Sequence, residues 1–413
     1  VNWLARHGVR RVHGRPFSGL AGLGADKASA ALLAEADGTV GPGIGATWDG
    51  DVLTLLSRPA CGDPLSAGDV REFDEIIADA AARGTGSVAV RIGFDPRAVT
   101  DRATTMWRGD PSLAPRVPAR EVADGRLDVD VLLAGAGVVR AGMVGELARL
   151  AEDSSLGVLN TFTAKGIFPW DSPYHLGSAC LQERDLELAG IGPDTRVLMI
   201  GVDTDECPAA LFKRAGVGTS VWRMPATELP RLSGRIGSAH GWPPQPSELY
   251  QVLARIIRPM YELDTLPFMP PRAAIELLRS LPADGAITVE PGNAGMWLAR
   301  AIPTTRLGSV LVPAAGRPGS AVAAALNLAL TGHPALAVVD APMSPASEEL
   351  LELARRRGLS LVVAEWGSDG GYRSGAVAAA LALGGVHVIG IPIDPTATAL
   401  LIDAAGPLVA WSG

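Results

Sequence analysis

"ALAVVDAPMSPASEELLELARRRGLSLVVAEWGSDGGY", residues 335–372, reads as a strand, a turn, a helix, a second strand and a glycine turn. Both strands are short apolar runs, and the helix between them carries charge on one face only. Strands apolar on both faces and joined by amphipathic helices are the signature of a parallel sheet covered by helices. Asp340 closes the first strand and Asp369 the second. Two carboxylates at the C-terminal ends of neighbouring strands stand where an α/β protein holds a metal or a phosphate. Yet the turn after Asp340 is Ala-Pro-Met, not the glycine-rich bend that lets a backbone close on a phosphate.

The same rhythm runs outward along the chain. "VDVLLAGAGVV" leads into "AGMVGELARLAEDS", "RVLMIGVD" into "CPAALFKRAG", and "GAITVEPG" into "NAGMWLARAI". Aperiodic stretches rich in Pro and Arg break it. They divide the chain into a reduced first domain over 1–100, a linker over 101–127, a central domain over 128–260 and a last domain over 270–413. The first domain is the weakest, and its stretch 38–65 is expected to supply one strand and much Gly/Pro turn. The helix in "GSAVAAALNLALTG" has hardly any polar face, so it demands extensive packing or an interface.

Composition narrows the class. At 413 residues, with 47% hydrophobic and 19% charged residues, the chain has enough apolar material for two or three buried cores. A net charge of −8 argues against nucleic acid or an anionic membrane as main partner. No 18-residue uncharged apolar run or secretory leader is evident, so a cytoplasmic protein is expected. Cys61, Cys180 and Cys207 are widely spaced and read as reduced structural thiols. Gly135-Ala-Gly137 after a strand suggests a dinucleotide turn, but Arg140 occupies the third glycine position and no acid ends the next strand. A tight strand-to-helix turn is the better reading. His175 and His240 show no acidic or nucleophilic partner at useful spacing and read as loop histidines; Lys165 reads as structural.

Three patterns in order resemble the thiamine-diphosphate-dependent enzyme superfamily, in particular its acetolactate synthase and benzoylformate decarboxylase group. The central stretch has the Gly135/Gly137 turn, Thr161 through Lys165-Gly166 to Pro169, the later His175-Leu176-Gly177 run, and Ile200-Gly201-Val202-Asp203. Residues 271–341, with the Met296-Trp297 pair, resemble the start of the diphosphate-binding domain. Residues 7–23 and 82–96 resemble the opening and close of the pyrimidine-binding domain.

The resemblance implies an α/β, three-domain architecture of parallel sheets flanked by helices, assembled as a homodimer or homotetramer. It implies a carbon–carbon lyase or carboligase acting on a 2-oxo acid with thiamine diphosphate and Mg²⁺, without FAD. Asp340, Asp369 and the Gly371 carbonyl would hold the metal; Asn293, Gly316 and Ala341 would join them around the cofactor. Asp26 stands nearest the place of the activating glutamate, ahead of Glu35. The departures point elsewhere. Val339-Asp340-Ala341 replaces the family's Gly-Asp-Gly, Ser368-Asp369-Gly370-Gly371 replaces its Asn-Asn, and Pro318-Gly319 replaces the apolar residue that bends the cofactor. They suit the alternative of a cofactor-free, non-catalytic relative serving assembly or partner binding.

Overall fold

A computed structural model of the chain describes residues 4, 9–14, 22–40, 44–50, 52–56, 64–82, 87–94, 119–122, 125–203, 205–218, 220–238 and 247–411. Cys61, His240 and most of the expected linker lie outside the described residues.

The first domain runs β1 (Val9–Gly14), α1 (Lys27–Val40), β2 (Ile44–Trp48), β3 (Val52–Leu56), β4 (Leu65–Ala67), α2 (Val70–Ala82) and β5 (Ser87–Ile92). Its sheet has the order β1-β2-β3-β5-β4 and is mixed, with β3 antiparallel to both neighbours. The stretch expected to give one strand gives two. Asp49-Gly50 turns the chain with Gly50 at φ +85°, and the Asp49 N–H donates to the Val52 carbonyl at 3.1 Å. Asp-Gly between apolar runs is a hairpin signal that the surrounding glycines and prolines obscure.

The central domain contains β6 (Arg120–Glu121), β7 (Leu127–Val129), β8 (Val131–Ala134), α3 (Ala136–Arg140), α4 (Val144–Ser154), β9 (Gly157–Thr161), β10 (His175–Ala179) and α5 (Asp185–Leu188). It continues through β11 (Val197–Ile200), α6 (Ala209–Arg214), β12 (Val221–Met224), β13 (Ile236–Ser238) and α7 (Glu248–Ile257). Six of its strands form a wholly parallel sheet, β10-β9-β8-β11-β12-β6, and β7 pairs with β13.

In the last domain α8 (Pro270–Ser280), β14 (Ala286–Val289), α9 (Asn293–Ala301), β15 (Val310–Leu311), α10 (Ser320–Ala329) and β16 (Ala335–Asp340) come first. They are followed by α11 (Pro345–Arg357), β17 (Leu361–Trp366), α12 (Ala376–Leu383), β18 (Val386–Ile391) and α13 (Thr396–Ala405). The sheet is parallel in the order β15-β14-β16-β17-β18. Helix α11 starts where its sequence says it should: Ser344 accepts the Ser347 N–H at 3.2 Å and Pro345 follows. It ends with Arg355–Arg357 against the negative end of its dipole and Gly358 at φ +63°.

The apolar helix α10 is buried within the chain. Ala321–Leu326 pack between the last sheet and Leu32, Leu33 and Ala36 of α1, forming one core shared by the first and last domains. Asn327 Nδ2 donates to the Leu33 carbonyl across that contact at 2.7 Å. Among the described residues no helix is long and apolar enough to cross a membrane.

Leu33 is fully buried in this shared core. Leu33→Ala should destabilise the protein by about 2–5 kcal/mol, seen as a lower Tm of one transition that includes the last domain. A loss confined to a separate first-domain transition would contradict the shared core.

Candidate functional site at the sheet switch points

In a doubly wound sheet the crevice for ligands opens where two neighbouring strands send their helices to opposite faces. Strand order places these points between β8 and β11 in the central domain and between β14 and β16 in the last. At both, carboxylates face the start of a helix, half-buried in the last domain and buried in the central one.

In the last domain Asp340 ends β16 and turns toward α9. Its Oδ2 accepts the Asn293 N–H at 2.8 Å and its Oδ1 the Ala294 N–H at 2.9 Å, so both oxygens cap the first turn of α9. Gly292, at φ +142°, makes room: a Cβ there would stand 2.2 Å from Asp340 Oδ2. Glu290, just beyond β14, accepts the Gly319 N–H at 2.5 Å and the Ser347 hydroxyl at 3.4 Å. Glu365 on β17 accepts the Met343 N–H at 2.8 Å. Burial raises the pKa of both Asp340 and Glu290, and the Asp340 charge raises Glu290 further. The backbone N–H donors oppose that shift in each.

The central domain repeats the device. Glu206, past the end of β11, accepts the Ala136 N–H at 3.1 and 3.3 Å on its two oxygens and the Asp203 N–H at 3.0 Å. The Thr163 hydroxyl also donates to it. The glycine pair answers this carboxylate and the turn beside it. A Cβ on Gly135 would lie 2.3 Å from Glu206 Oε2, and one on Gly137 2.7 Å from the Gly201 carbonyl. Asp203 is ion-paired with Arg140 at 2.9 Å. Burial, with the Asp203 charge adding to it, pushes Glu206 up to about 7.

The residues singled out from sequence fall in different places. Asp340 and Asn293 meet, through the Asn293 backbone; the Asn293 side chain accepts the Thr398 hydroxyl at 3.3 Å. Gly316 packs on Pro291, whose Cδ would be 2.6 Å from a Cβ at that position. The Ala341 N–H donates to the Trp366 carbonyl at 2.9 Å, and the Ala341–Pro342 peptide is cis. Strand β17 stops at Trp366, ahead of Gly367 at φ +86°, which leaves Asp369 and Gly371 exposed beyond its end. Asp26 is exposed and caps α1, accepting the Ala28 and Ser29 N–H groups at 2.9 and 3.0 Å; these bonds, Ser29's first, hold its pKa below the usual value. Glu35 takes Arg317 Nε at 3.1 Å, yet burial outweighs that arginine and raises its pKa.

His175 departs from its loop reading: it is buried and hydrogen-bonded at both nitrogens. Asn160 Nδ2 donates to the Thr161 carbonyl and to Ser178 Oγ, which turns Asn160 Oδ1 toward His175 Nε2 at 2.7 Å. His175 Nδ1 then accepts the Tyr250 hydroxyl at 2.9 Å. The imidazole is neutral, its pKa lowered to about 3 by burial and the nearby Lys165 charge. Glu206, Glu290 and Glu365 carry no pattern in the chain; their one local signal is an acid at or just past a strand end.

A magnesium-held diphosphate needs free backbone N–H groups and converging hard oxygen ligands. The first-turn amides of α9 are taken by Asp340, and Gly319 before α10 donates to Glu290. Ala341 and Met343 donate to the Trp366 carbonyl and to Glu365. Among the described residues no three His, Cys, Asp or Glu side chains converge as a metal site. Ser320 Oγ and Trp366 Nε1 are buried without partners, too few donors for a diphosphate. The described residues do not fit thiamine diphosphate with Mg²⁺.

Residues 129–213 match the family described as thiamine pyrophosphate enzyme, central domain. No curated protein matches the chain. Among solved structures, a protein from Mycobacterium smegmatis assigned as a thiamin diphosphate-dependent enzyme is similar over 96% of this chain and 98% of its own, at 18% identity and a TM-score of 0.57. Benzoylformate decarboxylase from Polynucleobacter necessarius is similar over 95% of this chain and 97% of its own, at 14% identity and a TM-score of 0.56. Residues 129–213 therefore match that central-domain family, and the chain as a whole shares the fold of these two structures.

Asp340→Ala should leave two α9 amides without acceptors and cost about 1–3 kcal/mol, with Asp340→Asn recovering part of it in thermal unfolding. An unchanged Tm for the alanine variant would contradict the capping role. Glu206 has a folded pKa above its unfolded one, so its contribution is full below about pH 4.5 and lost as pH rises through about 7. The stability of the native protein relative to Glu206→Gln should therefore fall by roughly 1–2 kcal/mol between pH 5 and 7.5, measured by denaturant unfolding. A pH-independent difference would contradict it.

Proposed function

We propose that this protein keeps the frame of a thiamine-diphosphate enzyme without its resident cofactor and works as an assembly or partner-binding module. One observation carries the reading: both Asp340 oxygens are bonded to the first-turn amides of α9, in the place of an anionic ligand. The equivalent positions at Glu290 and Glu206 support it. An assembled homodimer or homotetramer goes with this reading. Leu383 on α12, Val388 on edge strand β18 and Leu400 and Ile402 on α13 are exposed, apolar surface that a partner could cover.

A second reading is a thiamine-diphosphate- and Mg²⁺-dependent lyase or carboligase acting on a 2-oxo acid. The central-domain match and the likeness to benzoylformate decarboxylase favour it. It requires a remaining lone pair of Asp340 to meet a metal together with Asp369 and the Gly371 carbonyl, which lie exposed beyond the end of β17.

Isothermal titration of thiamine diphosphate with Mg²⁺, and separately with EDTA, divides the two. The first reading expects no binding in either condition at up to millimolar cofactor. Micromolar, Mg²⁺-dependent binding that disappears in Asp340→Asn would overturn it in favour of the lyase.

A further inference from the structure

Away from both switch points, the loop after β9, the C-terminal half of α7 and the end of α9 enclose a cavity of about 1010 Å³ between the central and last domains. That is room for an organic molecule of moderate size. Lys165, in the loop after β9, lines it with only 8% of the residue exposed. Its ammonium has no hydrogen bond and no ion pair with any described residue. A buried lysine is ordinarily paired.

The polar groups around Lys165 are already occupied. Arg300 Nε donates to Gln182 Oε1 at 3.0 Å, one terminal nitrogen donates to the Ser178 carbonyl at 2.8 Å, and the other pairs with Asp185. Asp185 is further held by the Leu181 and Gln182 N–H groups. His175 is neutral between Asn160 and Tyr250. Arg300 thus takes the buried carboxylate of Asp185, and the Lys165 ammonium is left at the cavity without an anion among the described residues. Burial and the Arg300 charge push Lys165 down to about 7, the response of an ammonium that lacks an anion.

The rest of the lining describes that anion's body. Leu253, Ile257, Ile302 and Pro303 form apolar wall. Arg255 and Arg258 stand exposed at the rim without ion pairs to described residues, and Asp171, also exposed, is the one acidic side chain in the described lining. We propose that this cavity binds an organic carboxylate with an apolar body, its anionic end on Lys165 and its hydrocarbon along Leu253, Ile257 and Ile302. Arg255 and Arg258 raise the local concentration of anions at the mouth. The proposal does not depend on whether the switch points hold a cofactor.

Calorimetric titration of the full chain with octanoate and benzoate, using octanamide as the uncharged counterpart, tests it. Repeating the titrations at pH 8 in two buffers of different ionisation enthalpy adds the proton count. The carboxylates should bind at least tenfold more tightly than octanamide and take up protons, because an anion beside Lys165 favours its charged form. Lys165→Met should lose at least tenfold in carboxylate affinity, abolish the proton uptake and leave octanamide binding within twofold. The variant removes an unpaired buried charge, so it should melt no lower than the native protein. Arg255→Ala, far from the fold's core, should weaken octanoate binding modestly and lower its salt dependence. Equal affinity for acid and amide, no proton uptake, native affinity in Lys165→Met, or no binding of any probe at millimolar concentration would each overturn the assignment.

Discussion

Every helix that starts at the C-terminal edge of a parallel sheet presents backbone N–H groups that its own hydrogen bonds cannot satisfy, with a partial positive charge behind them. Something must accept those hydrogens. In this protein the acceptor is the chain itself: Asp340 for α9, Glu290 for the turn into α10 and Glu206 for α3. The local architecture follows from that choice. Gly292 and Gly135 are where a side chain would collide with the capping carboxylate, and Gly137 is where one would meet the Gly201 carbonyl. The Ala341 and Met343 amides, which follow Asp340, are tied to β17 instead of to an anion.

Burying carboxylates is costly unless hydrogen bonds replace the lost water. Here the replacement is made by donors that would themselves be orphaned. The two needs cancel, and neither group can be removed alone without exposing the other. The residual cost shows in the raised pKa of Asp340, Glu290 and Glu206, each shifted first by burial and, for the two glutamates, by a neighbouring aspartate. The same principle runs in reverse at Lys165, a buried cation beside a cavity with no partner among the described residues. The chain's own carboxylates thus take helix-start amides at both switch points, while Lys165 faces a cavity.

Much of the fold was legible in the chain. The α11 unit carried its helix and both flanking strands in plain order, though β17 stops at Trp366 and not at Asp369, and the nearly all-apolar α10 announced extensive packing or an interface. Local signals sufficed because those features depend on neighbours in sequence. The first-domain hairpin at Asp49-Gly50 was local too, but lay among glycines and prolines that read equally well as loop. The sites were less legible because they depend on distant pairings. Asp340 was visible as a strand end, but the direction of its oxygens was set by α9, more than forty residues earlier. Glu206 meets Ala136 across 70 positions, and His175 finds Asn160 and Tyr250 at 15 and 75. A carboxylate at a strand end is the same sign in sequence whether it holds a metal or caps a helix.

Residue-resolved hydrogen exchange of the Asn293, Ala294 and Gly319 amides, with and without thiamine diphosphate and Mg²⁺, tests this account most directly. Protection of all three in the free protein, unchanged by the additions and lost at Asn293 and Ala294 in Asp340→Ala, is the predicted result. Rapid exchange in the free protein that slows on adding the cofactor would contradict it, and would mean that these amides await a diphosphate.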